Sequence, residues 1–279
     1  MIVYLNGQFL PREEARISPE DRGFLFGDGV YEVVRSFRGI LFRAETHWLR
    51  LSRSLAAIGM EGPPHRQVQD IAEALLEKNG LRGGEATVYV QVTRGVAPRR
   101  HSYPRPAVPP TVYAFAAPFA IPREEWKAGI RVIKVPDLRW GRCDIKATSL
   151  LPNVMASEQA RGAGAHEAIF VRDGVVTEGS HSNFAGVRDG TLLTHPANEH
   201  ILNGITRLVV LELSNRLSIP VRETAVSESD LPGLDEAMLL GTTNGVMPVV
   251  CINDWTIGRG QPGPVTRRLQ QALRELVMQ

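Results

Sequence analysis

Apolar residues recur at helical spacing twice in the first third of the chain and then switch to the spacing of a strand. The segment 45–58 carries an apolar residue every three or four positions and is followed by Gly59, which predicts a helix and its end. The segment 68–76 repeats this spacing before Asn79-Gly80. From Thr87 to Thr93, valines alternate with other residues, which is the period of a half-buried strand.

The second half of the chain mixes short strands with helices. Asp173-Gly174 and Asp189-Gly190 have the composition of two-residue hairpin turns, as does Asn6-Gly7 near the N-terminus. We predict strands over 2–5, 112–116, 130–135, 169–171, 175–177 and 237–240, and helices over 151–161, from about 206, and over 265–276.

Two proline-rich stretches divide this pattern. The stretch 104–110 cannot form a helix interior or a central strand, and the segment 117–122 is the best candidate for a domain boundary. We therefore predict a mixed α/β fold. A smaller N-terminal α/β domain covers 1–118, a linker covers 119–124, and a larger C-terminal domain covers 125–279.

Composition narrows the class of protein. The chain has 279 residues, of which 43% are hydrophobic and 22% charged, which is typical of a globular protein with a sizeable core. Its 32 Lys and Arg nearly balance its 30 Asp and Glu, and no basic run is interleaved with aromatics, so we expect no nucleic-acid partner. No apolar stretch approaches a membrane span, and the N-terminus lacks the pattern of a signal peptide. Cys143 and Cys251 form no CxxC pattern, so we expect no disulfide and a cytoplasmic location.

Two charged residues in the second half have both an ordinary and a chemical interpretation. Lys146, in Arg-Trp-Gly-Arg-Cys-Asp-Ile-Lys, is either a surface lysine or a lysine that forms a Schiff base, which needs a flexible amine near a cationic or apolar pocket. Glu178 is either an acid in a turn or the partner of a protonated ring nitrogen in a cofactor. The Gly-Ser-His-Ser-Asn run after it is rich in small hydrogen-bonding groups.

Three other segments could bind anions. Asn203-Gly204-Ile205-Thr206 precedes an apolar helix, so it is either an ordinary helix start or a phosphate-binding one. Gly241-Thr242-Thr243 and Arg50 could add hydroxyl, amide and guanidinium contacts to the same phosphate. Arg99-Arg100-His101 is either a solvated loop or a trap for a carboxylate. His195 and His200 do not have the spacing of a zinc site, and we expect structural or surface roles for them.

Six stretches of sequence follow one another in a fixed order: Asp21-Arg-Gly-Phe-Leu-Phe-Gly-Asp-Gly-Val-Tyr-Glu, Val92-Thr-Arg-Gly with Pro98-Arg-Arg-His, Arg142-Cys-Asp-Ile-Lys, Thr177-Glu-Gly-Ser, Thr194-His-Pro-Ala-Asn and Gly204-Ile-Thr-Arg. Together they resemble the fold-type IV pyridoxal-phosphate (PLP) family, and within it the D-amino-acid aminotransferases. The resemblance covers nearly the whole chain. It implies a C-terminal domain with a barrel-like β-sheet core.

The resemblance also implies roles for individual residues. Lys146 is similar to the lysine that carries PLP and moves a proton, and Glu178 to the partner of the pyridine nitrogen. The substrates implied are D-amino acids such as D-alanine and 2-oxo acids such as 2-oxoglutarate or pyruvate, in a ping-pong transamination. The trap residues Arg99 and His101 come from the neighbouring subunit in such enzymes, which implies a homodimer with a shared active site. The other cofactor-binding residues implied are Arg50, Ser182, Ile205, Thr206 and Thr242, and Tyr31 completes the substrate-binding set.

Two departures from the family pattern affect the expected specificity. His181 stands where the D-specific enzymes usually have serine, and Asn244-Gly245 stands where Ser-Glu is usual. The alternatives are a branched-chain L-amino-acid or (R)-amine transaminase of the same fold, or a cofactor-free binding protein that kept the fold. The colour of the purified protein separates the cofactor-free binding protein from the enzymes. Turnover of D- against L-alanine separates the D-amino-acid aminotransferase from the branched-chain or (R)-amine alternative.

Overall fold

The chain folds into two compact units in a computed structural model that describes residues 1–278. The first unit comprises Met1–Ala120 and Ile145–Leu150, and the second comprises Ile121–Asp144 and the chain from Leu151 onward. The boundary after Ala120 falls inside the predicted linker 119–124, and one internal segment departs from the predicted ranges. Ile145–Leu150, which carries Lys146, packs with the N-terminal unit although it lies inside the predicted range 125–279.

The first unit is a six-stranded antiparallel sheet with two helices against it. The strand order is β2-β1-β6-β5-β3-β4. The predicted alternation in β5 is confirmed, because Val88, Val90 and Val92 are fully buried in a core shared with α2 and α3. The elements are β1 Ile2–Leu5, β2 Gln8–Pro11, α1 Arg22–Phe26, β3 Gly29–Phe37, β4 Ile40–Leu41, α2 Ala44–Ala57, α3 His65–Lys78, β5 Glu85–Thr93 and β6 Thr111–Pro118.

The second unit contains a closed barrel. Six strands pair in the order β10-β13-β14-β7-β8-β9, and a pairing between Asn183 of β10 and Glu178 of β9 closes the ring. The barrel-like core implied by the resemblance is therefore confirmed. The elements are α4 Arg123–Ala128, β7 Ile130–Pro136, α5 Leu151–Gly162, β8 Glu167–Arg172, β9 Val175–Gly179, β10 Asn183–Arg188, β11 Thr191–Thr194, α6 Ile205–Arg216, β12 Val221–Arg222, β13 Glu236–Gly241, β14 Gly245–Ile252, β15 Trp255–Thr256 and α7 Pro264–Met278.

The predicted turns have the backbone that their composition requires. Asn6-Gly7, Asp173-Gly174 and Asp189-Gly190 all have positive φ at both residues and connect paired strands. The strand β3 and the strand β14 were not predicted from the sequence. Within residues 1–278, no helix has both the length and the apolar character needed to cross a membrane.

Candidate functional site

Lys146 is held against the sheet of the first unit by its own backbone. Its carbonyl accepts a hydrogen bond from the Tyr31 amide at 3.0 Å, and its amide donates to the Ser54 hydroxyl at 3.2 Å. Ala147 forms a bridge with Val30, so the segment runs beside the start of β3. The Lys146 ammonium lies 4.4 Å from the centroid of the Tyr31 ring, a cation–π contact. The sequence candidates Lys146 and Tyr31 are therefore neighbours.

Arg50 points inward from α2 and pairs with a buried acid on β3. Its Nε and Nη2 donate to the two carboxylate oxygens of Glu32 at 2.7 and 2.9 Å. The Nδ1 atom of His47 lies 2.8 Å from Glu32 Oε2. Burial acts to raise the pKa of Glu32, but the charge and hydrogen bonds of Arg50 and His47 outweigh it and hold that pKa at about 2. Glu32 is thus an anion at neutral pH and fixes the orientation of the Arg50 guanidinium.

Arg99 and His101 lie on an exposed loop after β5 and contact the same aromatic ring. The Arg99 guanidinium is 5.2 Å from the centroid of Phe26, and the His101 ring is 5.7 Å from it. Tyr31, the third predicted trap residue, stacks instead on Tyr89 of β5 at 5.5 Å. Within one chain, Arg99 and His101 therefore contact the Phe26 ring, while Tyr31 lies apart from them beside Lys146.

Glu178 lies at the end of β9 and is surrounded by donors. Arg139 pairs with its Oε1, and its Oε2 accepts from the Asn183 side-chain amide and from the Leu202 amide, each at 3.0 Å. The Asn183 amide also donates to the Leu202 carbonyl at 2.8 Å. Asn183 therefore connects the Glu178 carboxylate to the segment that leads into α6.

The start of α6 lies directly beside Asn183. Gly204 is the N-cap residue and has no side-chain cap, and a Cβ there would lie 2.1 Å from Asn183 Oδ1. Glycine therefore permits the close approach of the helix start to Asn183. The first amides of an α-helix have no partner within the helix and attract anions. Ile205 and Thr206, which begin this helix, are both buried.

The strand register brings the remaining candidates of the second unit to the same end of the barrel. Asn183 pairs with Leu240, which immediately precedes the Gly241-Thr242 turn. Ser182 is buried, and a Cβ on Gly241 would lie 3.6 Å from its Cβ. The candidate residues at this end of the barrel are Glu178, Ser182, Ile205, Thr206 and Thr242.

Sequence reasoning missed the positioning role of Arg139. Its guanidinium donates twice to Asp137, at 2.9 Å each, and pairs with Glu178 at the same time. Asp137 in turn pairs with Arg172 at 3.2 Å. Although burial acts to lower it, the pKa of Arg139 is raised by the Asp137 hydrogen bond and the Glu178 charge. Arg139 precedes Glu178 by 39 positions, and no motif in the sequence connects the two residues.

Both departures from the family pattern contact one buried acid, Glu167. Its Oε1 accepts from the His181 amide at 3.0 Å and from the Ser182 hydroxyl at 2.7 Å. Its Oε2 lies 3.2 Å from the Asn244 side-chain amide and 3.3 Å from His181 Nε2. Glu167 thereby ties the 180–182 turn to the 242–244 turn, and the departures act on the loops that carry Ser182 and Thr242.

Replacing His181 with serine is expected to have a small effect. The imidazole is half exposed, and the backbone and Ser182 contacts to Glu167 remain. The loss therefore amounts to two weak contacts, with Glu167 Oε2 and with the Ser180 hydroxyl at 3.2 Å, worth about 1 kcal/mol together. We expect the dissociation constant for PLP, measured by titrating apoenzyme and following visible absorbance, to rise no more than about fivefold. An increase of about a hundredfold would instead make the imidazole a direct cofactor contact.

The residues of each unit fit a phosphorylated pyridine cofactor. In the second unit, the Glu178 carboxylate with its convergent donors is connected through Asn183 to a helix start whose amides favour a phosphate. In the first unit, a half-buried primary amine lies on an aromatic ring, and a buried guanidinium is held by a carboxylate. A Schiff-base amine, a phosphate site and a partner for a ring nitrogen are the three elements that PLP requires.

The described part of the chain, residues 1–278, offers neither a metal site nor a disulfide. Among residues 1–278, no group of three or more His, Cys, Asp or Glu side chains is arranged to hold a metal ion. His195 is buried and its Nδ1 lies 2.8 Å from the Pro196 carbonyl. Cys143 and Cys251 are free thiols, and burial raises the pKa of Cys143 to about 11, which makes it a poor nucleophile at neutral pH.

The fold and these residues are those of a PLP-dependent transaminase with a barrel core. The model of the amino-transferase class IV family matches residues 29–252, so the chain belongs to that family. It is 42% identical over 276 residues to the D-alanine aminotransferase of Staphylococcus haemolyticus, covering 99% of this chain and 97% of the relative. It is 42% identical over 279 residues to the D-alanine aminotransferase of Bacillus licheniformis, covering 100% and 98%.

Solved structures of the same fold include aminotransferases that are named for branched-chain amino acids. The branched-chain aminotransferase of Escherichia coli superposes with a TM-score of 0.92 at 26% identity, covering 99% of this chain and 94% of that one. The branched-chain aminotransferase of Thermoproteus uzoniensis with norvaline gives 0.88 at 28% identity, covering 100% and 95%. A further branched-chain aminotransferase, with a TM-score of 0.90 at 27% identity, was solved with pyridoxamine 5′-phosphate. The fold is therefore common to both groups, while the more similar sequences are D-alanine aminotransferases.

Proposed function

We propose that this protein transfers the amino group of a D-amino acid, D-alanine among them, to a 2-oxo acid such as 2-oxoglutarate or pyruvate. The observation that carries the proposal is the link between Glu178 and the α6 start through Asn183, which fits a cofactor with both a ring nitrogen and a phosphate. The relatives of about 40% identity over the full length favour the D-alanine substrate class over the branched-chain one.

The chain's own residues supply binding and proton transfer. Lys146 would provide the amine that holds the cofactor covalently, and the same amine would accept and return the substrate proton. Glu178, which pairs with Arg139 and accepts from the Asn183 amide, would hold a proton on the ring nitrogen of the bound cofactor. When bound, PLP acts as the electron sink for the carbanion that proton removal creates.

The phosphate would be held chiefly by the second unit. Ile205 and Thr206 would offer the amides of the α6 start, and Thr242 and Ser182 hydroxyl groups from the turns beside it. Arg50, oriented by Glu32, would add a charge-assisted contact, as the family resemblance implies. We propose 1–118 and 125–279, joined by the linker 119–124, as the sequence ranges of the two domains, with Ile145–Leu150 of the second range packed with the first unit.

We propose a homodimer in the cytoplasm. Arg99 and His101 are exposed, as expected for side chains that would complete the neighbouring subunit's substrate site with Tyr31. Apolar side chains on one face of α5 are also exposed, with Leu151 at 70%, Val154 at 60% and Met155 at 61%. An exposed apolar helix face is typical of an interface between subunits.

The test of substrate class is a pair of steady-state assays with PLP-loaded protein and 2-oxoglutarate as acceptor. We expect D-alanine to support glutamate formation and L-alanine or L-leucine to support less than about a hundredth of that rate. Turnover of an L-amino acid alone would overturn the D assignment and favour a branched-chain transaminase. A protein that stays colourless after incubation with PLP would overturn the cofactor assignment as well.

A further inference from the structure

The segment 21–28 has no role in the proposed function, although it is one of the six stretches that resemble the family. Its residue Arg22 is only 3% exposed and reaches the loop that carries Arg99 and His101. Arg22 Nη1 donates to the Arg100 carbonyl at 2.6 Å and to the Ser102 carbonyl at 3.4 Å, and Nη2 lies 3.5 Å from the His101 carbonyl. A buried side chain thus holds the loop backbone at three successive residues.

The charge of Arg22 is balanced by Asp28, which it shares with a second arginine. Arg22 Nε and Arg94 Nε each donate to Asp28 Oδ2 at 2.8 Å. The Arg94 guanidinium lies 3.5 Å from the centroid of the Tyr103 ring and donates to the Ile58 carbonyl at 2.7 Å. The loop is therefore held over 100–102 by Arg22 and at Tyr103 by Arg94.

The ring of Phe26 forms a platform under the two trap side chains. Arg22 lies 4.8 Å from its centroid, and Arg99 and His101 lie 5.2 and 5.7 Å from it. Cation–π and ring contacts restrict the rotamers of long side chains that would otherwise be free in solvent.

The segment itself is fixed to β5 and β6. Asp21, which is 1% exposed, caps α1 by accepting from the Gly23 amide at 2.8 Å, and it also accepts from the hydroxyls of Thr93 and Thr111 at 3.0 and 2.6 Å. A left-handed Gly27 with φ of +66° ends α1 and directs the chain to Asp28. Arg22 and Phe26 are consequently presented from a rigid support.

We infer that Arg22 is a positioning residue that, with Phe26, holds Arg99 and His101 in the conformation that binds the substrate carboxylate. The inference rests on the proposed function, in which these two residues bind the carboxylate common to the amino acid and the 2-oxo acid. A trap that is ordered before the substrate arrives binds more tightly than one that must be ordered on binding. Arg22 touches neither substrate nor cofactor and acts through the loop.

The test compares Arg22→Met, Arg99→Met and the double variant as holoenzymes, with Arg66→Met, an exposed arginine on α3, as control. We expect Arg22→Met to raise KM for D-alanine and 2-oxoglutarate about tenfold while kcat stays within about threefold. The effect of the double variant on KM should be smaller than the product of the two single effects, because both changes weaken the same carboxylate contact. Trypsin should cleave after Arg99 or Arg100 faster in Arg22→Met than in the control. If Arg22→Met does not fold, Arg22→Lys gives the same readouts, because it keeps the positive charge but loses the several N–H donors of the guanidinium.

Each outcome decides a different claim. Unchanged KM and unchanged cleavage in the Arg22 variants, with a raised KM in Arg99→Met, would overturn the positioning role and leave the proposed function intact. Effects of Arg22→Met and Arg99→Met that multiply in the double variant would also overturn it, since Arg22 would then act by another route. Unchanged KM in Arg99→Met would instead remove the carboxylate trap from the proposed function.

Discussion

Lys146→Ala is expected to abolish both the covalent cofactor adduct and transamination. The variant lacks the amine that forms the Schiff base and the base that moves the substrate proton, and the second loss alone corresponds to roughly 10²–10⁴ in rate. The fold should persist, because the backbone hydrogen bonds of Lys146 with Tyr31 and Ser54 remain and only the cation–π contact with the Tyr31 ring is lost. Borohydride reduction followed by peptide mass mapping and a steady-state assay measure the two effects.

The control for this variant is Lys127→Ala, which removes an exposed lysine on α4. It should keep the reducible adduct and full activity. Small amines such as methylamine should restore part of the activity of Lys146→Ala, because they can replace the missing base. A reducible adduct on another lysine, or activity above about a tenth of the wild-type value, would show that Lys146 does not carry the cofactor.

Glu32→Gln is expected to destabilise the protein by about 3 kcal/mol. Glu32 is fully buried between Arg50 and His47, and removing one partner of a buried ion pair leaves the other charge uncompensated. For a chain of this length we expect a fall in melting temperature of roughly 10 °C. Affinity for PLP should fall too, since the Arg50 guanidinium loses the carboxylate that orients it.

The buried ion pair of Glu32 and Arg50 also predicts how the stability of the fold depends on pH. The folded-state pKa of Glu32 is about 2, below the ordinary value of 4.5, so its stabilisation is fully present above about pH 4.5 and is lost as pH falls towards 2. Glu32→Gln should therefore be less stable at neutral pH and lose less stability between pH 5 and 3. Denaturant unfolding of the holoenzyme, with exposed Glu61→Gln as control, measures both. Equal stability of wild type and Glu32→Gln at neutral pH would contradict this role of Glu32.

Much of the fold could be predicted from local pattern, and the exceptions share a physical cause. The alternation in β5 and the helical faces of α2 and α3 reflect burial of apolar side chains, which periodicity detects. Periodicity did not predict the strand β3, because Glu32 and Ser36 are polar and yet fully buried. A carboxylate can occupy that core position only because Arg50, 18 residues later, pairs with it. Such a long-range pair leaves no periodic signal.

The same limit applies to the candidate site. Resemblance selected Lys146 and Glu178, but it did not predict that the Lys146 segment would pack with the N-terminal unit through hydrogen bonds to β3 and α2. Nor did it predict that His181 and Asn244 would contact one carboxylate, because Glu167 lies 14 positions before the first and 77 before the second. The sequence identified the departures, and only the structure shows that they act on one residue.

A single half-reaction tests the central claim most directly. PLP-loaded protein is mixed with excess D-alanine, and separately with L-alanine, in the absence of any 2-oxo acid, and pyruvate is measured. We expect about one pyruvate per subunit from D-alanine, with loss of the visible absorbance of the holoenzyme, and none from L-alanine. No pyruvate from D-alanine, or pyruvate from L-alanine alone, would contradict the assignment of a D-amino-acid transaminase.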